Sequence, residues 1–387
     1  MTIRGAAYVA GIYEHPRREI PDRTIFEIHT EVALGALADA GLTMADVDAV
    51  FCDSTVGMGA FSLVTHWGLQ PRYFDNTETG GSSYLAHVGH AAAAIAAGKC
   101  SVALVTLAGK PRSGAGVERM SFMPGPETGF ESGWGVNGAP HSYALAAQRH
   151  MYEFGTTAEQ LAEIKVAASI HAQHNPNALL PYAVTVEDVI NSPMVADPLH
   201  RLDCCVVTDG GGALVIVSPE VARSLGRTNA KILGHGEAIK HTNNGRIDLT
   251  YTGAVWSGPR AFAEAGVGVK DIDYASIYDS FTITVLQTIE DLGFCEKGKG
   301  GAFVSDGALV APHGILPFNT DGGGLCNNHP SNRGGMTKVI EAVRQLRGEA
   351  HPAVQVPDCQ IALAHGTGGS LGSRHGSVTL ILGQENA

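Results

Sequence analysis

The sequence predicts an α/β protein built from two similar halves, the first carrying a long insertion. Three observations predict it. Residues 36–48 (ALADAGLTMADVD) and 261–273 (AFAEAGVGVKDID) are identical at six of thirteen positions: Ala36/Ala261, Ala38/Ala263, Ala40/Ala265, Gly41/Gly266, Asp46/Asp271 and Asp48/Asp273. Each half then runs through a glycine-rich stretch into a helix-like segment stopped by glycine (Gly98, Gly348) and an apolar strand (SVALVTLA, QIALA). Each half closes on a further apolar strand, GGALVIV from Gly211 and GSVTLIL from Gly376.

Taken in order, MTIRGAAYVAGIYEHPRREI is a strand followed by a charged turn and lacks the long apolar region of a signal peptide. An apolar helix follows and stops at Gly41, where the absence of Cβ tolerates positive φ. A short acidic turn leads to the strand AVFCDS. Thr79–Gly80–Gly81–Ser82–Ser83 opens the next helix, which ends at Gly98. Before its last strand the first half makes an excursion on the order of 85 residues longer than its counterpart. This places an inserted loop domain at about 110–205, where Pro, Gly, Trp and His concentrate. The second half repeats helix, acidic turn and strand (YASIYDS), with about 25 extra residues around Gly293–Thr320. The expected division is 1–225 and 226–387, and a chain of 387 residues exceeds the usual single-core limit. The many alanines and the 49 glycines let helices approach closely, which suits a helix buried between two sheets.

A net charge of −12 without any Lys/Arg run argues against nucleic acid, while leaving room for an anionic small ligand at a local basic or helix-terminal site. No apolar run approaches the roughly 18 residues needed to span a bilayer, so no membrane insertion is expected. The seven cysteines form no C-x-x-C pair and mostly lie in or beside apolar strands, as expected of free thiols in a reducing cytoplasm. His87/His90 and His171/His174 have helical i,i+3 spacing but lack a third ligand at convincing spacing, so no metal is expected.

Three places carry candidate chemistry. At Gly80–Ser83, Ser82 or Ser83 can cap the following helix, and exposed amides there favour an anion or a developing oxyanion. In TDGGGLCNNHPSNRGG (320–335), Pro330 disfavours helix at His329. His329 and the amides of Asn327 and Asn328 are then either donors to a carbonyl oxygen or partners for their own turn. His365–Gly366–Thr367–Gly368–Gly369 follows the strand QIALA and reads either as a ligand-binding loop with His365 as general base or as a plain connection. No G-x-S-x-G elbow supports a serine hydrolase.

With those residues in view, the chain resembles the thiolase superfamily over nearly its whole length, and within it the bacterial lipid-transfer-protein or sterol-carrier-protein-type branch. NHPSNRGG (328–335) resembles the family's G-H-P block, IYDSFT (277–282) its N-E-A-F or H-D-x-F block, and HGTGG (365–369) its C-terminal C-x-G loop. DPLHRLDCCVVTDGGGALVI (197–216) resembles the stretch closing the first half. The resemblance implies the thiolase fold: two βαβαβαββ halves in a five-layered αβαβα body. It also implies a homodimer formed through first-half strands, and an insertion that covers the acyl pocket. His141, His150, Trp134 and Met120–Met123 are candidates to line that pocket, and Arg112, Arg119 and Arg201 to meet the phosphates of coenzyme A.

The departures from the family set the expected chemistry. The position of the thiolase nucleophile falls on Gly81, that of the second cysteine on His365, and that of the water-holding asparagine on Tyr278; His329 keeps its identity. Without an acyl-cysteine, what remains is enolate chemistry on an acyl-CoA. In a retro-aldol cleavage a base takes the β-hydroxyl proton, the Cα–Cβ bond breaks, and the enolate is stabilised. Tyr278, His329 and His365 are the expected catalytic groups, with Gly81, Ser82, Ser83, Asn328, Gly366 and Gly368 around the oxyanion and substrate. The expectation is a carbon–carbon lyase of lipid or steroid side-chain catabolism. It needs no covalently bound cofactor, takes coenzyme A as part of its substrate, and works with a small zinc-ribbon/OB-fold partner. Two rivals stand beside it: acyl transfer with Ser82, Ser83 or Cys326 as nucleophile, and a non-catalytic acyl-CoA or lipid binder.

Overall fold

The computed structural model describes residues 2–114, 128–136, 138–330 and 334–385. Arg119, Met120–Met123 and the SNR of NHPSNRGG lie outside the described residues. The first half runs β1 (Tyr8–Glu14), α1 (Ile25–Ala40), β2 (Ala49–Phe51), α2 (Ala60–Trp67), β3 (Tyr73–Asp75), α3 (Ser83–Ala96) and β4 (Val102–Gly109). An insertion follows, with α4 (Thr128–Gly133), α5 (Ala139–Phe154), α6 (Ala158–Ala172), α7 (Val186–Ile190) and a hairpin of β5 (Met194–Ala196) and β6 (Leu199–His200). β7 (Gly210–Val217) closes the half and α8 (Pro219–Ser224) leaves it. The second half runs β8 (Ala230–Lys240), α9 (Ala254–Ala265), β9 (Tyr274–Ile277), α10 (Thr282–Asp291), α11 (Gly300–Val304), a π-helical turn (Gly323–Asn327), α12 (Gly335–Arg347), β10 (Ile361–Gly369) and β11 (His375–Gly383).

The duplication extends to individual hydrogen bonds. α1 and α9 both end on a left-handed glycine, Gly41 (φ 72°) and Gly266 (φ 68°). Asp39 accepts from Ile12 N at 2.8 Å on β1, and its counterpart Glu264 accepts from His235 N at 3.1 Å on β8. Asp48 accepts from Val102 N at 2.8 Å, tying the turn after α1 to β4; Asp273 does the same for β10 through Ile361 N at 2.9 Å. Each half also uses a glycine to let the helix lie close on its first strand. A Cβ on Gly11 would stand 2.1 Å from Ala36 O, and one on Gly234 2.2 Å from Ala261 O.

Hydrogen bonding joins nine strands in the order β3-β2-β4-β7-β1-β8-β11-β10-β9. The seam between the halves is narrow, with only Tyr8↔Lys231 and Val9↔Ala230 pairing β1 with β8. Buried side chains sort into three bodies that define five layers. One lies between α1/α2 and the first-half strands. The middle one surrounds α3 and α12 between the two sets of strands. The third lies between the second-half strands and α9/α10, and extends into the insertion. Two expectations need correction. The third strand of the second half is reduced to a single parallel bridge, Phe318↔Ala275. HGTGG is no loop: it is the end of β10, paired with β11 as far as Gly369↔His375, because glycines at this edge make room for the turn that opens α3. Among the described residues no helix is long and apolar enough to cross a membrane.

The two glycine contacts generate a stability prediction. Gly11→Ala and Gly234→Ala should each lose about 1–3 kcal/mol from overpacking against a helix carbonyl. Urea denaturation reads this directly, and a midpoint equal to the parent's would contradict the close approach.

Candidate functional site

The N-terminal turns of the two central helices meet at glycines. A Cβ on Gly335, at the start of α12, would fall 1.8 Å from Gly81 O, so only glycine lets these turns touch. Both helix dipoles therefore present their positive ends at the same place, where they favour negative charge. A Cβ on Gly81 would stand 2.4 Å from the Tyr278 ring (Cε2) and 2.5 Å from Thr367 O. The aromatic ring occupies the place a side chain at 81 would need.

Tyr278 follows the last residue of β9, and its amide donates to His365 O at 2.9 Å. Its hydroxyl lies 2.8 Å from His329 Nε2, with the rings 5.5 Å apart and edge-on. Both side chains are buried, at 3% and 4% exposure. Burial pushes the phenol well above the ordinary tyrosine range and brings the imidazole down to about 4. At neutral pH the pair is thus a neutral phenol on a neutral imidazole.

The segment carrying His329 is held from three sides. His329 N donates to Thr208 Oγ1 at 3.0 Å, and that hydroxyl donates to Asn328 Oδ1 at 2.6 Å. Asn328 Nδ2 and Asn327 Nδ2 donate to Glu14 Oε1 at 3.0 and 3.2 Å, and Arg18 reaches both Glu14 (2.8 Å) and Asn327 Oδ1 (2.7 Å). Asp279, 1% exposed, accepts from Gly324 N at 2.8 Å and Leu325 N at 3.1 Å, and pairs with the buried Lys338 of α12 at 3.0 Å. Burial opposes the Lys338 charge, but the Asp279 and Asp321 carboxylates outweigh it and raise its pKa.

The expected site set is therefore only partly assembled. Tyr278, His329 and Gly81 come together. Ser82 and Ser83 adjoin them, but their hydroxyls close the local turn: Ser82 Oγ donates to Thr79 O at 2.8 Å and Ser83 Oγ accepts from Thr79 N at 2.8 Å, rather than capping α3. The Asn328 carboxamide is a brace between Thr208 and Glu14, not a donor kept for an oxyanion. His365 belongs elsewhere. Its Nδ1 meets Thr379 Oγ1 at 2.9 Å, and Thr379 meets Ser257 Oγ of α9 at 2.9 Å, so the ring faces the α9 layer. The alternation of β10 explains this, since Leu363 on the same face packs in the α9/α10 core while Ala362 and Ala364 face the central helices.

Gly366 and Gly368 are corrected for a related reason. Asp273 N and Tyr278 N donate to Ile361 O and His365 O, so odd residues of β10 turn their backbone groups toward β9 and even ones toward β11. β9 ends at Ile277, opposite His365. The amide on the open edge beside Gly81 is therefore that of Thr367, while Gly366 and Gly368 face the β11 ladder. Their missing side chains serve packing, with a Cβ on Gly368 falling 1.7 Å from Thr79 O.

Other expected residues prove structural. His150 joins Glu290 (3.0 Å) and Thr156 (2.9 Å) at full burial, and Trp134 is 88% exposed. The Arg112 backbone donates to Asp209, its side chain reaches Glu19, and Arg201 is exposed. His87 meets Thr77 O; His90 bridges Asp75 and Glu237; His171 accepts from Ala311 N; His174 stacks on His351. Among the described residues no group of three or more His, Cys, Asp and Glu is disposed to hold a metal. Sequence reasoning missed Asp279 and Thr208, although both lie inside the motifs that carry the family resemblance. It also missed Lys338, Glu14 and Arg18, for which no local signal exists. Tyr143 of α5 escaped it too; this residue packs on Phe281 at 4.4 Å and donates to Gly369 O at 3.2 Å, bringing the insertion down onto the end of β10.

Residues 236–384 match the thiolase C-terminal domain-like family. The chain is 34% identical over 382 residues to an acetyl-CoA acetyltransferase of Methanothermobacter thermautotrophicus, covering 94% of this chain and 97% of that protein. It is 34% identical over 361 residues to a steroid side-chain-cleaving aldolase of Thermomonospora curvata, covering 89% and 91%. The solved structure of an Ltp2-ChsH2(DUF35) aldolase superposes with a TM-score of 0.87 at 32% identity, over 98% of each chain.

The buried imidazoles make stability depend on pH. Burial holds His87, His171, His235 and His329 near 4 and His365 and His375 near 3, whereas in the unfolded chain each takes up its proton near 6.5. Their folded pKa values are depressed, so stability is complete above about 6.5 and is lost as pH falls, by up to about 1.4 kcal/mol per pH unit for each histidine. His90, raised to about 9 by the hydrogen bonds it donates to Asp75 and Glu237, contributes stability that is complete below about 6.5 and lost as pH rises toward 9, so it does not mask the loss between 6.5 and 5. Urea midpoints should fall markedly between about pH 7 and 5, and a flat profile there would contradict these burials.

Proposed function

The chain belongs to the thiolase superfamily, in its sterol-carrier-protein-like branch, and from that premise we propose that it is an acyl-CoA lyase that cleaves a carbon–carbon bond by retro-aldol chemistry. The observation that carries this reading is the Tyr278 ring packed against Gly81, the position to which the family resemblance assigns the nucleophile. Two of the relatives, the Thermomonospora aldolase and the Ltp2-ChsH2(DUF35) aldolase, point the same way.

The substrate is a β-hydroxyacyl-CoA, with coenzyme A entering as part of it. Its β-hydroxyl hydrogen-bonds to Tyr278 Oη. As that proton passes to the phenol oxygen, the phenol proton passes across the 2.8 Å contact to His329 Nε2, so no free phenolate forms in the buried site. The Cα–Cβ bond breaks, a ketone or aldehyde leaves, and the electron pair moves into the thioester as an enolate. The Thr367 amide and the paired N-termini of α3 and α12 stabilise the enolate oxygen, and one well-placed donor contributes about 3–4 kcal/mol. The proton held on His329 returns through Tyr278 to Cα, giving the shortened acyl-CoA.

A homodimer fits the β3 edge of the sheet, where Phe74 is 62% exposed beside Phe61 (61%) and Met58 (68%). The DUF35 component of the Ltp2-ChsH2 aldolase supports a small zinc-ribbon/OB-fold partner here. Seven free cysteines suit a reducing cytoplasm. A second reading, acyl transfer, is favoured by the acetyltransferase relative. Against it, Ser82 and Ser83 are engaged with Thr79, and Cys326 with Lys165.

The test supplies β-hydroxyacyl-CoA thioesters, with and without the partner, and looks for a ketone or aldehyde together with the shortened acyl-CoA. Tyr278→Phe should fold normally and lose roughly 100- to 10,000-fold in kcat. An acyl-enzyme adduct in the intact mass would replace the lyase with the transferase, and absence of turnover across a broad panel would remove both.

A further inference from the structure

Among the described residues two lysines, Lys165 and Lys338, are less than 2% exposed, and they are not alike. Lys338 faces the Asp279 carboxylate. Lys165, on α6 and 1% exposed, has no carboxylate within ion-pair distance among the described residues. Its Nζ donates to Leu325 O at 2.8 Å and to Cys326 Sγ at 3.1 Å. The amine and the thiol therefore face each other directly in the interior. Cys326 is itself completely buried, in the π-helical turn three residues before His329, and burial raises its thiol despite the neighbouring lysine. Neither group has a role in the chemistry proposed above. An amine nitrogen in direct contact with a thiol, with water excluded, is placed for bond formation once the sulfur becomes electrophilic.

We propose that Lys165 and Cys326 are a modification site at which hydrogen peroxide drives a covalent sulfur–nitrogen cross-link. The Cys326 sulfur attacks peroxide, an S–O bond forms, the O–O bond breaks, and one water leaves. Lys165 Nζ, as the free amine, then attacks the sulfenic sulfur. The S–N bond forms as the S–O bond breaks, and the hydroxide leaves with the amine proton as a second water. Overall, thiol, amine and one peroxide give the sulfenamide and two waters; sulfur loses two electrons and peroxide gains them. Excess small thiol reverses the reaction by attacking the sulfur, which regenerates cysteine and lysine and oxidises two reductant thiols to a disulfide. Peroxide is little larger than water and needs only local opening between α6 and the turn to reach the sulfur. The bond would tie the insertion to the segment that presents His329.

The contact is selective. The hydrogen bonds of the Cys52 and Cys204 thiols go to Asp53 O, Asn76 and His200 O, none of them an amine. The experiment treats the full-length protein with hydrogen peroxide, digests it without reductant after alkylating free thiols, and maps the peptides by mass spectrometry. A Lys165 peptide joined to the Cys326 peptide, two hydrogens lighter than their sum and separated again by dithiothreitol, is the expected result. Lys165→Met should divert Cys326 to sulfinic acid, with no linked pair. Recovery of wild-type Cys326 as an alkylated thiol, or as sulfinic acid with Lys165 free, would overturn the proposal. The readout is independent of turnover, so a failed cross-link and a failed lyase assay remain distinguishable.

Discussion

The Asp279 carboxylate is the point on which the site depends. It follows Tyr278 in the chain, accepts two amides from the turn that leads to His329, and pairs with Lys338 on α12. One buried charge thus fixes the end of β9, the approach to the imidazole and a central helix. Removing either partner of such a pair leaves the other charge unpaired in the interior, at a cost of about 3–5 kcal/mol. The 2.8 Å contact between phenol and imidazole therefore rests on a buried ion pair beside it.

Around that pair the two halves are joined by polar groups more than by the sheet. The seam between β1 and β8 is only two residue pairs wide. Glu14 and Arg18, at the end of β1 and just beyond it, reach Asn327 and Asn328 in the second half, and Arg344 of α12 contacts Glu14 at 3.4 Å. Because these groups are buried and mutually satisfied, they specify one docking of the halves where an apolar surface would permit sliding.

Glycine sets the rest of the geometry. Gly81, Gly335 and Gly368 let two helix starts and a strand end come within backbone contact, and the space of a side chain at 81 is taken by the Tyr278 ring. The outcome is a buried junction that gathers the positive ends of two helices beside the Tyr278 ring. Paired helix N-termini favour negative charge at that place.

The sequence by itself determined the duplicated α/β architecture. Helix-stopping glycines and the acidic turns act locally, Asp46 accepting from Thr43 N and Asp271 from Gly268 N three residues before it. The motif resemblance likewise brought Tyr278, His329 and Gly81 to one place. The tertiary structure alone decided what depends on strand parity and on distant partners. HGTGG reads as a loop until β11 pairs with it, and only that pairing turns His365 toward α9 and leaves Thr367 at the open edge. Asn328 reads as a donor until Glu14, more than three hundred residues away in the chain, claims it. Lys338 and Lys165 both lie on helices, and only packing gives one a carboxylate and the other a thiol, because burial and partner are properties of the folded interior and not of neighbours in sequence.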